Sequence, residues 1–207
     1  MFENKYGFDE RDPAMLTHPV RGIVMAQRLW EFVELVRMYQ AAKPHYTVEI
    51  GTWHGGSLWY WLQHAQPGAH VISVDTGPAT WGPPEPDFDT SQWYDWVPEG
   101  VYLHKITGNS RAHDVQAQVG YLCPEGIDWL FIDGDHSYEG VKWDFMTYGP
   151  RVNKGGVICF HDLITPAGQP HIQVGRLWKE IRQAGYVTRE LYSERNQQSM
   201  GIGVVLV

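Results

Sequence analysis

Cysteine is almost missing from this chain: Cys123 and Cys159 are the only two in 207 residues. Two are too few for a disulfide framework, so a reducing compartment is expected. Positive charge is also scarce. Lys and Arg total 16 against 24 Asp and Glu, the net charge is −8, and no basic run occurs. That excludes nucleic-acid binding driven by phosphate neutralisation, and docking on anionic membranes. No apolar run is long enough to span a bilayer. The N-terminal stretch MFENKYGFDERDP is charged and has no apolar signal core. Internal repeats and low-complexity tracts are absent too. A cytoplasmic protein with a small-molecule partner is the expectation, with no nucleic acid and no membrane.

Aromatic residues, by contrast, are plentiful, with 10 Trp and 11 Tyr. Two readings stand, scattered core and surface rings or a binding face supplied with large rigid contact area, and position decides between them. Trp53, Trp59, Trp61, Trp129, Trp143 and Trp178 read as core or helix–sheet packing.

The pattern begins with an irregular arm over residues 1–19 and an amphipathic helix over Arg21–Ala42, stopped by Lys43-Pro44. That helix has a face with which to cover a sheet edge or pair with a second subunit in a homo-oligomer. Strands are expected at Tyr46–Ile50, His70–Val74, Val101–Ile106, Ile127–Ile132 and Gly156–Phe160. Helices are expected at Ser57–Ala65, 111–120, 138–148 and 171–184. This alternation predicts an α/β three-layer sandwich of the Rossmann-like kind, with a mostly parallel sheet. Tyr186–Tyr192 and Gly201–Val207 have no helix between them and read as a hairpin, which brings in an antiparallel last strand. Residues 1–45 form an arm and helix, and 46–207 the main domain. Gly77–Gly100 is too long for an ordinary connection. Its Pro, acids, Trp81, Trp93, Tyr94 and Trp96 read as a lid over the strand tips.

Chemistry-bearing residues gather where strands end. VEIGTWHGGS, residues 48–57, is a strand, a glycine turn and a helix start. Glu49 stands where a dinucleotide fingerprint has glycine. It would repel a phosphate and welcome an amino group. Asp75, after the second strand, suits the hydroxyls of a ribose. Asn109-Ser110, after the third, suits an adenine edge. FIDGDHSYEGVKWDF, residues 131–145, ends a buried strand in Asp133-Gly134-Asp135-His136. GGVICFHD ends the next in His161-Asp162. Asp133 and Asp162 at adjacent tips could converge on Mg²⁺, and a histidine in the shell favours a softer ion such as Mn²⁺. Asp135 reads as a turn or helix-cap residue. Asp144 reads as facing the sheet edge or solvent, and Tyr138 as either pocket lining or packing.

The order E-x-G-x-x-x-G-G, Asp75, Gly108-Asn109-Ser110, IDGDHSYEG and GGVICFHD resembles the class I S-adenosylmethionine-dependent methyltransferases. Within them it resembles small-molecule O-methyltransferases of the macrocin and cephalosporin-biosynthesis type, over residues 46 to 185. The resemblance implies a seven-stranded sheet with an antiparallel final strand. It implies that S-adenosylmethionine lies against Glu49, Gly51, Thr52, Gly55, Ser57, Asp75, Thr76, Asn109, Ser110 and Asp133. It implies a divalent cation, Mg²⁺ or Mn²⁺, on Asp133, His161 and Asp162, although relatives carry an acid in place of His161. It implies His136 as the base that deprotonates a sugar or phenolic hydroxyl, with Asp133 beside it. A metal-dependent hydrolase of the phosphoesterase kind is the alternative, since Gly-Asp-His and His-Asp echo its ligand motifs.

Overall fold

The structure is a computed structural model and describes residues 16–18, 23–77 and 90–207. Most of the expected arm lies outside these residues, as do Trp81 and the 78–89 part of the expected lid. The expected helix over Arg21–Ala42 is shorter than its apolar spacing suggests. Its first residues form strand β2 (Ile23–Met25), paired antiparallel with β1 (Leu16–His18). Helix α1 runs only over Leu29–Ala42 and ends at Lys43, whose left-handed backbone (φ 48°) returns its N–H to the Tyr39 carbonyl. Pro44 follows, so the helix cannot continue.

The remaining elements alternate. They are β3 (Tyr46–Ile50), α2 (Gly56–His64), β4 (His70–Asp75), β5 (Tyr102–Thr107), α3 (His113–Leu122), β6 (Ile127–Ile132) and α4 (Tyr138–Tyr148). β7 (Val152–Phe160), α5 (Val174–Gln183), β8 (Val187–Leu191) and β9 (Ile202–Leu206) complete the chain. The seven-stranded sheet has the order β5-β4-β3-β6-β7-β9-β8. β5, β4, β3, β6 and β7 pair in parallel, and β9 runs antiparallel between β7 and β8. Every residue of β3 is buried, as expected of a central parallel strand covered on both faces.

Two apolar layers sandwich the sheet. Phe32, Leu35, Tyr39, Trp61, Trp129 and Phe131 fill one side. Ile72, Leu130, Ile132, Tyr148, Phe160 and Trp178 fill the other. Each such side chain contributes roughly 1.5–3 kcal/mol by leaving water, and about half of the Trp and Tyr among the described residues are buried in this way. The order reverses between β3 and β6, which opens a crevice at their carboxyl tips. Among the described residues no helix is long and apolar enough to cross a membrane.

Candidate active site

The crevice starts with the turn after β3. Gly51 sits at φ +85°, and a Cβ there would lie 2.2 Å from the Asp133 carbonyl oxygen. Only glycine lets the β3 and β6 tips approach this closely. The Gly51 N–H donates to the Val74 carbonyl (2.9 Å) and the Asp133 N–H to that of Ile50 (2.8 Å). Asp75 shapes the same turn: its Oδ2 accepts from the Thr52 and Trp53 N–H groups (2.7 and 2.9 Å), and its Oδ1 from Gly77 N–H (2.8 Å). Three of its lone pairs are thus engaged, two by the turn after β3 and one by its own loop. Thr52 and Ser73 share a hydroxyl hydrogen bond of 2.8 Å. Thr76 is exposed and Ser57 is buried.

Glu49 is fully buried, and its Oε1 accepts from Trp61 Nε1–H at 3.0 Å. Its Oε2 has no hydrogen-bond partner among the described residues. Burial pushes this carboxyl up to about 8; the Asp133 charge adds to the rise, while Ser57, Trp61 and Thr52 oppose it. A buried acid with a spare oxygen fits an ammonium-bearing ligand.

The described end of the expected lid is ordered. Thr90–Trp96 is a 3₁₀ turn that buries Trp93 and Trp96. Trp93 closes on Gly55, where an added Cβ would lie 2.8 Å from its indole. Lys105 Nζ lies over the Trp93 and Tyr94 rings (5.2 and 5.3 Å) and donates to Thr90. The turn is therefore tied down to β5.

Asn109 is exposed, and its Oδ1 accepts from Arg111 N–H. Ser110 is held from below, its hydroxyl donating to Asp144 Oδ1 (2.7 Å) and its carbonyl accepting from Tyr148 (2.7 Å). Asp144 therefore does not face solvent; it meets the loop that follows the edge strand β5. It is buried, and desolvation pushes its carboxyl up to about 6. The Ser110 hydroxyl reverses the reading because it gives a buried carboxylate a partner. Asp135 is a turn residue. It accepts from Ser137 N–H and pairs with Arg111, while the Ser137 hydroxyl caps α4. Tyr138 packs under Arg176 and donates to Glu180.

Charge concentrates at the tips of β6 and β7. His136 bridges the two acids, with Nε2 3.3 Å from Asp133 Oδ1 and Nδ1 3.2 Å from Asp162 Oδ2. His161 Nδ1 lies 3.1 Å from the same Asp133 oxygen and 3.7 Å from Asp162 Oδ2. Burial alone would raise Asp133, but the two histidines hold it well below the usual carboxylate range. Burial likewise opposes the imidazolium of His136 and of His161. The flanking acids overcome it and raise both. Asp162 holds a left-handed backbone (φ 61°), a conformation that costs a non-glycine residue energy and that gathers at functional sites. One atom each from Asp133, His136 and Asp162 lies within 4.8 Å of the others, close enough to share a cation. Two carboxylates and an imidazole form a donor set that suits a divalent ion. His161, expected as a ligand, stands next to this triad rather than within it.

Two participants escaped the sequence. Gln27, buried between β2 and α1, donates from Nε2 to Asp133 Oδ2 at 3.2 Å. Glu31, fully buried in α1, accepts from Gln197 Nε2 (2.7 Å) and Gly201 N–H (3.3 Å), and its charge favours the imidazolium of His161. An acid on an otherwise apolar helix stripe was the one signal for Glu31. Gln27 gave none.

A family model described as a methyltransferase domain matches residues 48–163. An uncharacterized protein of Acanthamoeba polyphaga mimivirus is 32% identical over 143 residues, which cover 67% of this chain and 62% of that protein. An uncharacterized protein of Sinorhizobium fredii is 24% identical over 160 residues, 70% of this chain and 16% of that one. The chain thus spans less than two thirds of the length of either relative. Among solved structures, the fold is shared with the O-methyltransferase TomG of Streptomyces achromogenes, involved in tomaymycin synthesis and solved with S-adenosylmethionine. That match has TM-score 0.64 and 16% identity and covers 90% of this chain and 82% of that one. It is shared with a Bacillus cereus O-methyltransferase bound to S-adenosylhomocysteine (0.61, 18%, 86% and 80%). It is shared also with the mycinamycin-pathway methyltransferase MycE, solved with Mg and S-adenosylhomocysteine (0.55, 18%, 86% and 49%).

Proposed function

This chain belongs to the methyltransferase-domain family, and from that premise we propose that it moves a methyl group from S-adenosylmethionine to a hydroxyl of a small molecule, with a divalent cation at the strand tips. The observation that carries the reading is His136 set between Asp133 and Asp162, beside the Gly51 turn. When bound, the sulfonium supplies an already activated methyl group, so the protein's work is alignment and proton removal. Glu49 would face the cofactor's amino group. Asp75 keeps the glycine turn in shape and offers its remaining lone pair to a ribose hydroxyl. Asn109 and Ser110 would meet the adenine, with Ser110 fixed by Asp144. Asp133 and Asp162 would hold Mg²⁺ or Mn²⁺, which lowers the pKa of a bound hydroxyl. With the cation held by Asp133 and Asp162 alone, His136, its own proton lost to solvent, would take the hydroxyl proton as general base. The Thr90–Trp96 turn, closed on Gly55 through Trp93, would border the site and help exclude water.

The hydrolase alternative needs a second group of metal ligands. Among the described residues only the Asp133, His136, Asp162 group meets the spacing.

The test is titration of S-adenosylhomocysteine and Mn²⁺ into three proteins. The native chain should bind both. Asp133→Ala should lose Mn²⁺. His136→Ala should keep S-adenosylhomocysteine yet lose about 10²–10⁴-fold in turnover of an accepted substrate. Failure of the native chain to bind S-adenosylhomocysteine sinks the reading.

A further inference from the structure

The cation site is completed by a residue outside the matched 48–163 domain. We propose that Gln27, at the junction of β2 and α1, is a positioning residue that fixes Asp133 for the cation. The proposal rests on the functional reading above.

The geometry is specific. A carboxylate at a strand tip can turn about its last torsion and swing both oxygens off target. Asp133 is held at both ends. His161 Nδ1 faces Oδ1 at 3.1 Å, and Gln27 Nε2 donates to Oδ2 at 3.2 Å. An amide is neutral, so Gln27 fixes the orientation without cancelling charge that a cation needs. A Lys or Arg in its place would cancel it. Burying an amide in apolar surroundings costs free energy unless its polar atoms are engaged. Gln27 is only 2% exposed, and Asp133 is the partner its Nε2 has found. Its Oε1 is buried and has no partner among the described residues.

The mounting of Gln27 is rigid. The next residue, Arg28, is the N-cap of α1, and its guanidinium donates to Glu194 and Ser199. One turn on, Glu31 is bonded by Gln197 and Gly201. The start of α1 is thereby locked to the β8–β9 connection, and Gln27 is held against the β6 tip. Hydrogen bonds that orient a ligating carboxylate typically hold 10- to 100-fold in metal affinity.

The experiment is titration of Mn²⁺, followed by electron paramagnetic resonance, into native protein and Gln27→Met, each with and without S-adenosylhomocysteine. Met has similar length and no donor. The expected result is Mn²⁺ affinity about 10- to 100-fold weaker in Gln27→Met, with S-adenosylhomocysteine affinity within about twofold. A packing role would instead lower both or neither. Native protein that binds Mn²⁺, with Gln27→Met unchanged, overturns this proposal alone. Native protein that binds no Mn²⁺ overturns it together with the cation part of the functional reading. Native S-adenosylhomocysteine binding reports on the cofactor part separately. A second measurement needs no variant: Mg²⁺ titrated into ¹⁵N-labelled native protein should shift the side-chain NH₂ pair of Gln27. A pair that stays still at saturating Mg²⁺ overturns the proposal.

Discussion

At the scale of single residues, Glu49 has the most readable chemistry. Burial, helped by the Asp133 charge, leaves its carboxyl at about 8 instead of 4.5, so near neutral pH it is mostly protonated. A bound ammonium favours the ionised form. Cofactor binding should therefore expel a proton. The sign follows from linkage: a ligand that prefers the ionised form binds more tightly as pH rises toward 8, and its affinity levels off above that. The gain is at most about tenfold per pH unit, and about one proton is released near pH 7. Calorimetric titration of S-adenosylhomocysteine at pH 7, in two buffers of different ionisation enthalpy, reads this directly. Glu49→Gln should abolish the buffer dependence and weaken binding. If the variant shows the same dependence, another group loses the proton.

At the scale of elements, the close approach of β3 and β6 is decisive. Gly51→Ala would put a methyl group 2.2 Å from the Asp133 carbonyl oxygen, on a backbone at φ +85°. Something must move, and the atom that is struck is backbone. The expected cost is at least about 2 kcal/mol of stability, read as a lower urea midpoint, together with lost S-adenosylhomocysteine binding. A variant as stable as the native chain would mean that the two tips can separate freely. The same two strands show what the sequence reveals. β3 and β6 are short apolar runs buried on nearly every residue, and both were expected at the observed bounds. β7 was expected from Gly156, since Asn153-Lys154-Gly155 looks like a turn, but it starts at Val152, and a register shift between Ile127 and Trp129 lets Val152 pair with Ile127. Ile23–Met25 continued the apolar spacing of α1, and its true partner, Leu16–His18, offers no hairpin signature. Strand-tip acids were legible because a strand that ends in Asp-Gly-Asp-His is conspicuous. Gln27, Glu31 and the inward turn of Asp144 were not, since each is defined by contacts with residues 34 to 170 positions away.

At the scale of the whole molecule, these buried groups set how stability changes with pH. Glu31, Glu49 and Asp144 have carboxyls raised by burial. An acid raised in the folded state favours folding while protonated, and that contribution fades as pH climbs through its folded midpoint. His136 and His161 are raised too, so their contribution is present below 6.5 and is lost as pH rises above it. His64, His70 and His104 are lowered by burial and act the other way, but only as pH rises toward 6.5. Asp133, Asp135 and Glu180 are lowered, and their contribution disappears only in acid, as pH falls below about 4. Above 6.5 the raised groups therefore dominate, and stability should fall from pH 6.5 to 8.5. Glu49 alone accounts for about 2 kcal/mol of the fall between 6.5 and 8, since one pH unit is worth about 1.4 kcal/mol per proton. For a chain of this size that is roughly 4–8 °C in melting temperature. Scanning calorimetry across that range should show the decline. Glu49→Gln should remove its share and leave the part due to His136 and His161, and saturating S-adenosylhomocysteine should lift the native curve more at pH 8 than at 6.5. A native melting temperature that holds level or rises over this range would mean that Glu49 folds already ionised. The proton release expected on cofactor binding would then vanish with it, because both effects are one carboxyl's response to burial.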